Sequence, residues 1–136
     1  MSTAGYSGTP LAKKLGIKEG CRLGVMNQPE NYFDLFTEIP RIELIKDKRQ
    51  KKDLLHYFTT SAAELKSDIA FLRESIAQDG AIWISWPKKA SNMKTDLNED
   101  LIRKMALENG LVDIKVCAVD EVWSGLKLVI PVKDRK

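Results

Sequence analysis

A chain of 136 residues, 43% apolar and 30% charged, is the size of one domain. It can bury roughly two thirds of its unfolded surface, and its composition excludes disordered and collagen-like classes. The net charge of +3 is too small a basic excess to mark a dedicated nucleic-acid binder.

The opening residues 1–8 are small and polar and lack a secretion signal, so they predict a flexible lead to a single domain over 9–132. Thr9-Pro10 reads as a helix N-cap with proline at the first helical position, and Gly16 as the stop, which gives a short helix over 10–15. Cys21 to Met26 reads as a strand ended by Asn27-Gln28-Pro29. The aromatic and aliphatic clustering in 31–37 predicts a helix that Pro40 stops. Residues 41–45 alternate and predict a half-exposed strand. In 46–53 five of eight residues are basic, which reads as a solvated loop.

Leu54 to Phe58 reads as an apolar strand. Ser61-Ala62-Ala63-Glu64 is a capping box, and Leu65, Ile69, Leu72 and Ile76 then form an apolar stripe on a helix that Asp79-Gly80 ends. The strand 81–85 leads to Trp86-Pro87-Lys88-Lys89 and a polar loop. Asp96-Leu97-Asn98-Glu99 opens another helix, closed by Asn109-Gly110. Residues 114–119 and 126–132 are strands, joined through Asp120–Gly125 as an antiparallel hairpin. Residues 133–136 read as a polar tail. Strands alternating with helices predict an α/β, three-layer Rossmann-like domain, its sheet mostly parallel with a C-terminal antiparallel hairpin.

Cys21 and Cys117 lie in apolar runs without Cys-x-x-Cys spacing. This speaks against a disulfide framework or zinc site and predicts reduced thiols and a cytoplasmic location. No apolar run approaches the ~20 residues of a membrane-spanning helix.

From Leu54 to Val132 the order of elements resembles the carboxyl half of class I S-adenosylmethionine methyltransferases. The first half departs from that family by about one strand-helix unit. The resemblance implies a glycine-rich turn after the first strand, where the cofactor lies against bare backbone. This chain has Asn27-Gln28-Pro29-Glu30 there, with a proline where donors are wanted, and no Asp-Pro-Pro-Tyr-like motif follows Phe58. The resemblance thus implies the fold and argues against the cofactor. The phrases Ser7-Gly8-Thr9-Pro10-Leu11, Trp86-Pro87-Lys88-Lys89 and Asp120-Glu121-Val122-Trp123-Ser124-Gly125-Leu126-Lys127-Leu128 resemble a family of small bacterial proteins known only as a domain of unknown function. That similarity implies a bacterial cytoplasmic protein and supplies no activity.

Open α/β sheets hold ligands at the carboxyl ends of their strands. The candidate ligand-binding residues are therefore Asn27, Thr59, Thr60, Ser61, Trp86, Lys88 and Lys89. The amino end of the Ser61 helix favours anions, the lysines add charge, and Trp86 either stacks on a ring or packs on the sheet. His56 shares a face with Leu54 and Phe58 and is either a satisfied core histidine or a general base. Asp120, Glu121, Trp123 and Ser124 make either an acid-base pair or a turn. The functional expectation is a non-catalytic binding or regulatory module, with no cofactor, no metal and no assigned catalytic residue, whose partner is a protein or a small anion. The alternatives are a small methyltransferase-like transferase with an atypical loop, and a weak nucleic-acid module using 46–52 with Lys88, Lys89 and Lys94. A homodimer through a sheet edge stays open.

Overall fold

The computed structural model describes residues 10–136; the expected flexible lead and the Thr9 cap lie outside them. The elements are α1 (Leu11–Leu15), β1 (Cys21–Met26), a 3-10 turn (Tyr32–Leu35), β2 (Ile42–Leu44), β3 (Lys52–Phe58), α2 (Ala62–Glu74), β4 (Ile76–Pro87), α3 (Glu99–Glu108), β5 (Val112–Ala118) and β6 (Trp123–Val129). The sheet order is β2-β1-β3-β4-β6-β5. The first four of these strands pair in parallel, and β6 runs antiparallel to both neighbours. The expected α/β sheet with its closing hairpin is what forms.

Period-two alternation sorts the side chains into two cores. On one face, Leu55, Tyr57, Ile82 and Ile84 pack with Leu65, Ile69 and Leu72 of α2 and with Ile102 and Ala106 of α3. On the other, Leu54, Phe58 and Trp83 pack with Leu11 and Leu15 of α1 and with Tyr32 and Phe36. Trp83 is fully buried, and its ring N–H donates to the Leu15 carbonyl at 2.8 Å. That bond fastens α1 to the middle of the sheet.

Four local expectations need correction. Residues 31–37 form one 3-10 turn rather than a helix, held by Asp34 N–H to Asn31 and Phe36 N–H to Phe33. The aromatic spacing there reports burial of Tyr32 and Phe36, and Phe36 is already extended at φ −100°. Second, α2 stops at Glu74, where both the backbone N–H and the hydroxyl of Ser75 turn back to the Leu72 carbonyl. Ile76, the last residue of the apolar stripe, is therefore the first of β4.

Third, Gly80 lies inside β4, where the register slips against Lys52–Leu54. A Cβ there would meet the Lys52 and Asp53 carbonyls at 3.0 Å, so glycine serves close backbone approach and not a helix end. Fourth, β6 begins at Trp123 and ends at Val129, so the connecting loop is shorter than the expected six residues. Val132, the expected end of that strand, instead opens a 3-10 turn through Asp134 that takes in the start of the expected tail, and Arg135 and Lys136 bond to Ile130 and Gln78.

Lys52 departs furthest from the reading of 46–53 as a solvated loop. It belongs to β3 and is only 3% exposed. Its ammonium donates to the Asp47, Lys48 and Gln50 carbonyls at 3.2, 3.1 and 2.9 Å, so all three of its donors are used. The loop wraps around one lysine. Burial lowers the pKa of that lysine, partly offset by Asp47. The stem crosses Gly24 of β1, where a Cβ would come 2.4 Å from Lys52 Cδ. Gly24→Ala is expected to cost about 1–3 kcal/mol by overpacking. Adding Lys52→Ala should recover part of that loss in a denaturant titration, because the clashing stem is gone; purely additive losses would contradict this account.

Candidate functional site

The order of connection reverses around β1, with β2 on one side and β3 on the other. The crevice at the carboxyl ends of β1 and β3 is the topological switch point of the sheet. Asn27 leaves β1 there in the left-handed region, at φ 58°. Its side-chain amide donates to the Phe58 carbonyl at 3.1 Å, which bridges the two strand ends.

Thr59 is buried and continues the ladder through its N–H to the Ser85 carbonyl at 3.0 Å. Its hydroxyl donates to the Glu64 carboxylate and accepts from Ser61 N–H. Ser61 caps α2 by accepting from Glu64 N–H at 3.1 Å. The capping box therefore closes through Thr59, where a standard box would bond Glu64 directly to Ser61 N–H. The free N–H of Ala62, the first residue of α2, is also taken: Asp96 Oδ1 accepts it at 2.8 Å. Thr95 pins the same loop by donating to the Thr60 carbonyl at 2.7 Å. A carboxylate of the chain itself thus occupies the anion-favouring end of α2.

The end of β4 adds the remaining residues. Trp86 is 7% exposed and belongs to the core under α2 and α3. Its ring packs on the sheet. Lys88 is half-buried, its N–H held by the Val122 carbonyl, and Lys89 is exposed. Asn27, Thr59, Thr60 and Ser61 come together at the switch point, and Thr59 adjoins β4 through Ser85. Lys88 and Lys89 leave along the loop that returns at Thr95 and Asp96.

His56 lies behind this row, fully buried. Its Nδ1 is 3.0 Å from the Tyr32 hydroxyl and its Nε2 is 2.7 Å from Ser85 Oγ. Phe58 stacks on the ring at 4.3 Å. Burial lowers its pKa to about 3, so it is neutral at physiological pH. A serine hydroxyl beside a histidine is a nucleophile–base pair in outline. Here Ser85 and Tyr32 are 0% and 1% exposed, and no carboxylate orients the ring. The trio satisfies polar groups inside the core.

The acidic hairpin loop is also a backbone device. Asp120 Oδ1 accepts from Val122 and Trp123 N–H at 2.8 and 2.7 Å, which makes the turn. Trp123 sets its edge against Phe58 at 5.0 Å. Cys21 and Cys117 are free, and burial raises the pKa of both thiols. Among the described residues no helix is long and apolar enough to cross a membrane, and no cluster of three or more His, Cys, Asp or Glu could hold a metal ion.

Sequence reasoning missed Tyr32, Ser85 and Asp96. Asp96 reads locally as the start of a capping box, but Asn98 is the α3 cap, accepting from Leu101 N–H at 2.9 Å. Asp96 is thereby released to the other helix. The signal available in sequence was the competition between the two caps two residues apart.

No family model and no curated protein matches the chain. Solved structures do. A ribosomal protein L11 methylase from Lactobacillus delbrueckii subsp. bulgaricus superposes with a TM-score of 0.58 at 14% identity, over 88% of this chain and 74% of that one. A TehB-like SAM-dependent methyltransferase from Corynebacterium glutamicum gives 0.57 at 10% identity, over 88% and 85%. A SAM-dependent methyltransferase from Aquifex aeolicus gives 0.54 at 15%, over 88% and 87%. The likeness is one of backbone: the chain has the Rossmann-like α/β fold of the SAM-dependent methyltransferases.

Proposed function

We propose that this chain is a non-catalytic binding or regulatory module on a methyltransferase-like fold, working in the cytoplasm. The observation that carries the reading is that the chain's own groups take polar partners at the switch-point crevice. Asn27 spans it to Phe58, and Asp96 takes the helix N–H that an anionic ligand would use.

The residues present do not fit S-adenosylmethionine. The turn after β1 has no glycine, and Pro29 offers no donor. The one glycine of β1, Gly24, has its open side filled by the Lys52 stem. Tyr32 and Phe36 are buried against Phe58 and His56 beside the strand ends. The free cysteines agree with a reducing compartment. A protein partner, or a small anion held by Lys88 and Lys89 at the rim of the strand ends, is the occupant this arrangement admits.

Thermal melting of the purified chain with S-adenosylmethionine, S-adenosylhomocysteine, nucleotides or phosphate tests the proposal. A ligand at about 100 times its dissociation constant adds about 2.7 kcal/mol, seen as a shift of several degrees. No shift is expected with the two S-adenosyl compounds. A shift with either of them would overturn the reading and establish a cofactor site.

A further inference from the structure

A row of alternating charges crosses the sheet and stops at its β2 edge. Arg22 of β1 bonds Asp53 of β3 at 2.9 Å on one side, and on the other it stands beside Glu43 of β2. The order is negative, positive, negative, and among the described residues no strand lies beyond β2. Glu43 is exposed and takes part in none of the ion pairs among the described residues.

The backbone of β2 faces the same open side. The Arg41 carbonyl accepts from Gly20 N–H at 2.8 Å, and Ile45 N–H donates to the Leu23 carbonyl at 2.8 Å. Alternation along the strand then turns the N–H and C=O of Ile42 and Leu44 away from β1, toward the edge. Side chains alternate as well. Ile42 and Leu44 lie beside Cys21 and Leu23 on the α1 face, where Leu44 is 41% exposed. Arg41 and Glu43 belong to the other face, with Arg22.

We propose that β2 pairs antiparallel with β2 of a second copy of this chain, about a two-fold axis at Ile42. The segment Pro40-Arg41-Ile42-Glu43-Leu44 is self-complementary in that register. Arg41 of each copy stands opposite Glu43 of the other, so the charge row gains the positive member it lacks. Ile42 meets Ile42 and exchanges both backbone bonds with it, and Leu44 N–H donates to the Pro40 carbonyl of the second copy. Apolar side chains then meet on one face and opposite charges on the other. Centring the axis on Glu43 would set two carboxylates against each other. Arg41 lies 3.6 Å from Glu19 of its own chain, but both side chains are largely exposed, so that pair is weak and yields to the second copy. Pro40 has no N–H and keeps the ladder short, which makes the dimer a weak, reversible one. The opposite edge, β5, is bulged between Asp113 and Lys115, which disrupts such a ladder. The interface is independent of what the strand ends bind.

The test is sedimentation velocity on the full chain over a concentration series up to about 1 mM. A dimer that grows with concentration is expected. Arg41→Glu and Glu43→Lys each set like charges opposite one another across the axis, and each should weaken dimerisation by about tenfold or more. Mixed in equal amounts, the two variants should recover the dimer, because every charge on one then meets its opposite on the other. That recovery would also show that both variants fold. A chain that stays monomeric throughout the series overturns the proposal. So does a dimer that neither substitution weakens, which would place the contact on another surface, and so does a mixture that stays as weak as its components.

Discussion

Replacing His56 with alanine is expected to cost about 3–5 kcal/mol, among the largest losses a single substitution can cause here. Two hydroxyls, Tyr32 and Ser85, lose their shared partner in a site with no exposure, and each buried orphan costs about 1–3 kcal/mol. The vacated ring volume adds a cavity beneath Phe58. A neutral imidazole offers one donor and one acceptor, which matches two hydroxyls.

The same burial makes His56 an acid sensor of folding. Its ordinary pKa of 6.5 falls to about 3 in the folded chain. The unfolded chain therefore takes up the proton first as pH drops, and folding loses stability at about 1.4 kcal/mol per pH unit below 6.5. By pH 5 the loss reaches about 2 kcal/mol, before ordinary carboxylates titrate. The loss stops growing once pH falls below the folded value. No other histidine shares the window, because the chain has only one. Urea titrations at pH 7, 6 and 5 should show this slope in the unaltered chain and not in His56→Leu. An identical slope in both would falsify the assignment.

Trp83→Ala should cost about 3–5 kcal/mol, the range for truncating a buried large aromatic. Trp83 sits at the centre of the α1-side core and carries the bond to Leu15. Trp83→Phe keeps most of the volume and removes only that bond, so a loss near 1–2 kcal/mol is expected. The informative readout is hydrogen exchange. In the phenylalanine variant the amides at the end of α1, Gly16 and Ile17, should exchange faster while those of β3 and β4 keep their protection. Uniform acceleration would mean that α1 is held by apolar packing alone.

The sequence pattern was most legible where one residue does one local job. The Ser61 cap of α2, the stripe through Leu72 and the Cys21–Met26 strand all formed where the local pattern placed them. Pattern misled where the same residue type serves two purposes. Gly80 looks like a helix stop and is a contact glycine against two carbonyls. Ile76 continues a helical spacing of four, three and four, yet Ser75 has already ended the helix. Lys52 looks like one more basic loop residue, and only the three carbonyls around it show otherwise.

The candidate site was legible as a region, since strand ends follow from element order. Its contents were not. His56 meets Tyr32 and Ser85 across separations of 24 and 29 residues, and Asp96 meets Ala62 across 34. Those meetings depend on strand register and loop path, which no local period encodes.

Asp96 at the first turn of α2 also sets a thermodynamic scale. A carboxylate held in place by the folded chain competes with any free anion at the effective concentration its attachment imposes, in the millimolar range for short flexible tethers and higher when its loop is pinned as Thr95 pins it. A diffusible anion arriving there exchanges one partner for another and gains only the difference between them. Sub-millimolar phosphate or carboxylate is then expected to leave that helix end undisturbed, its ligand being encoded in the chain.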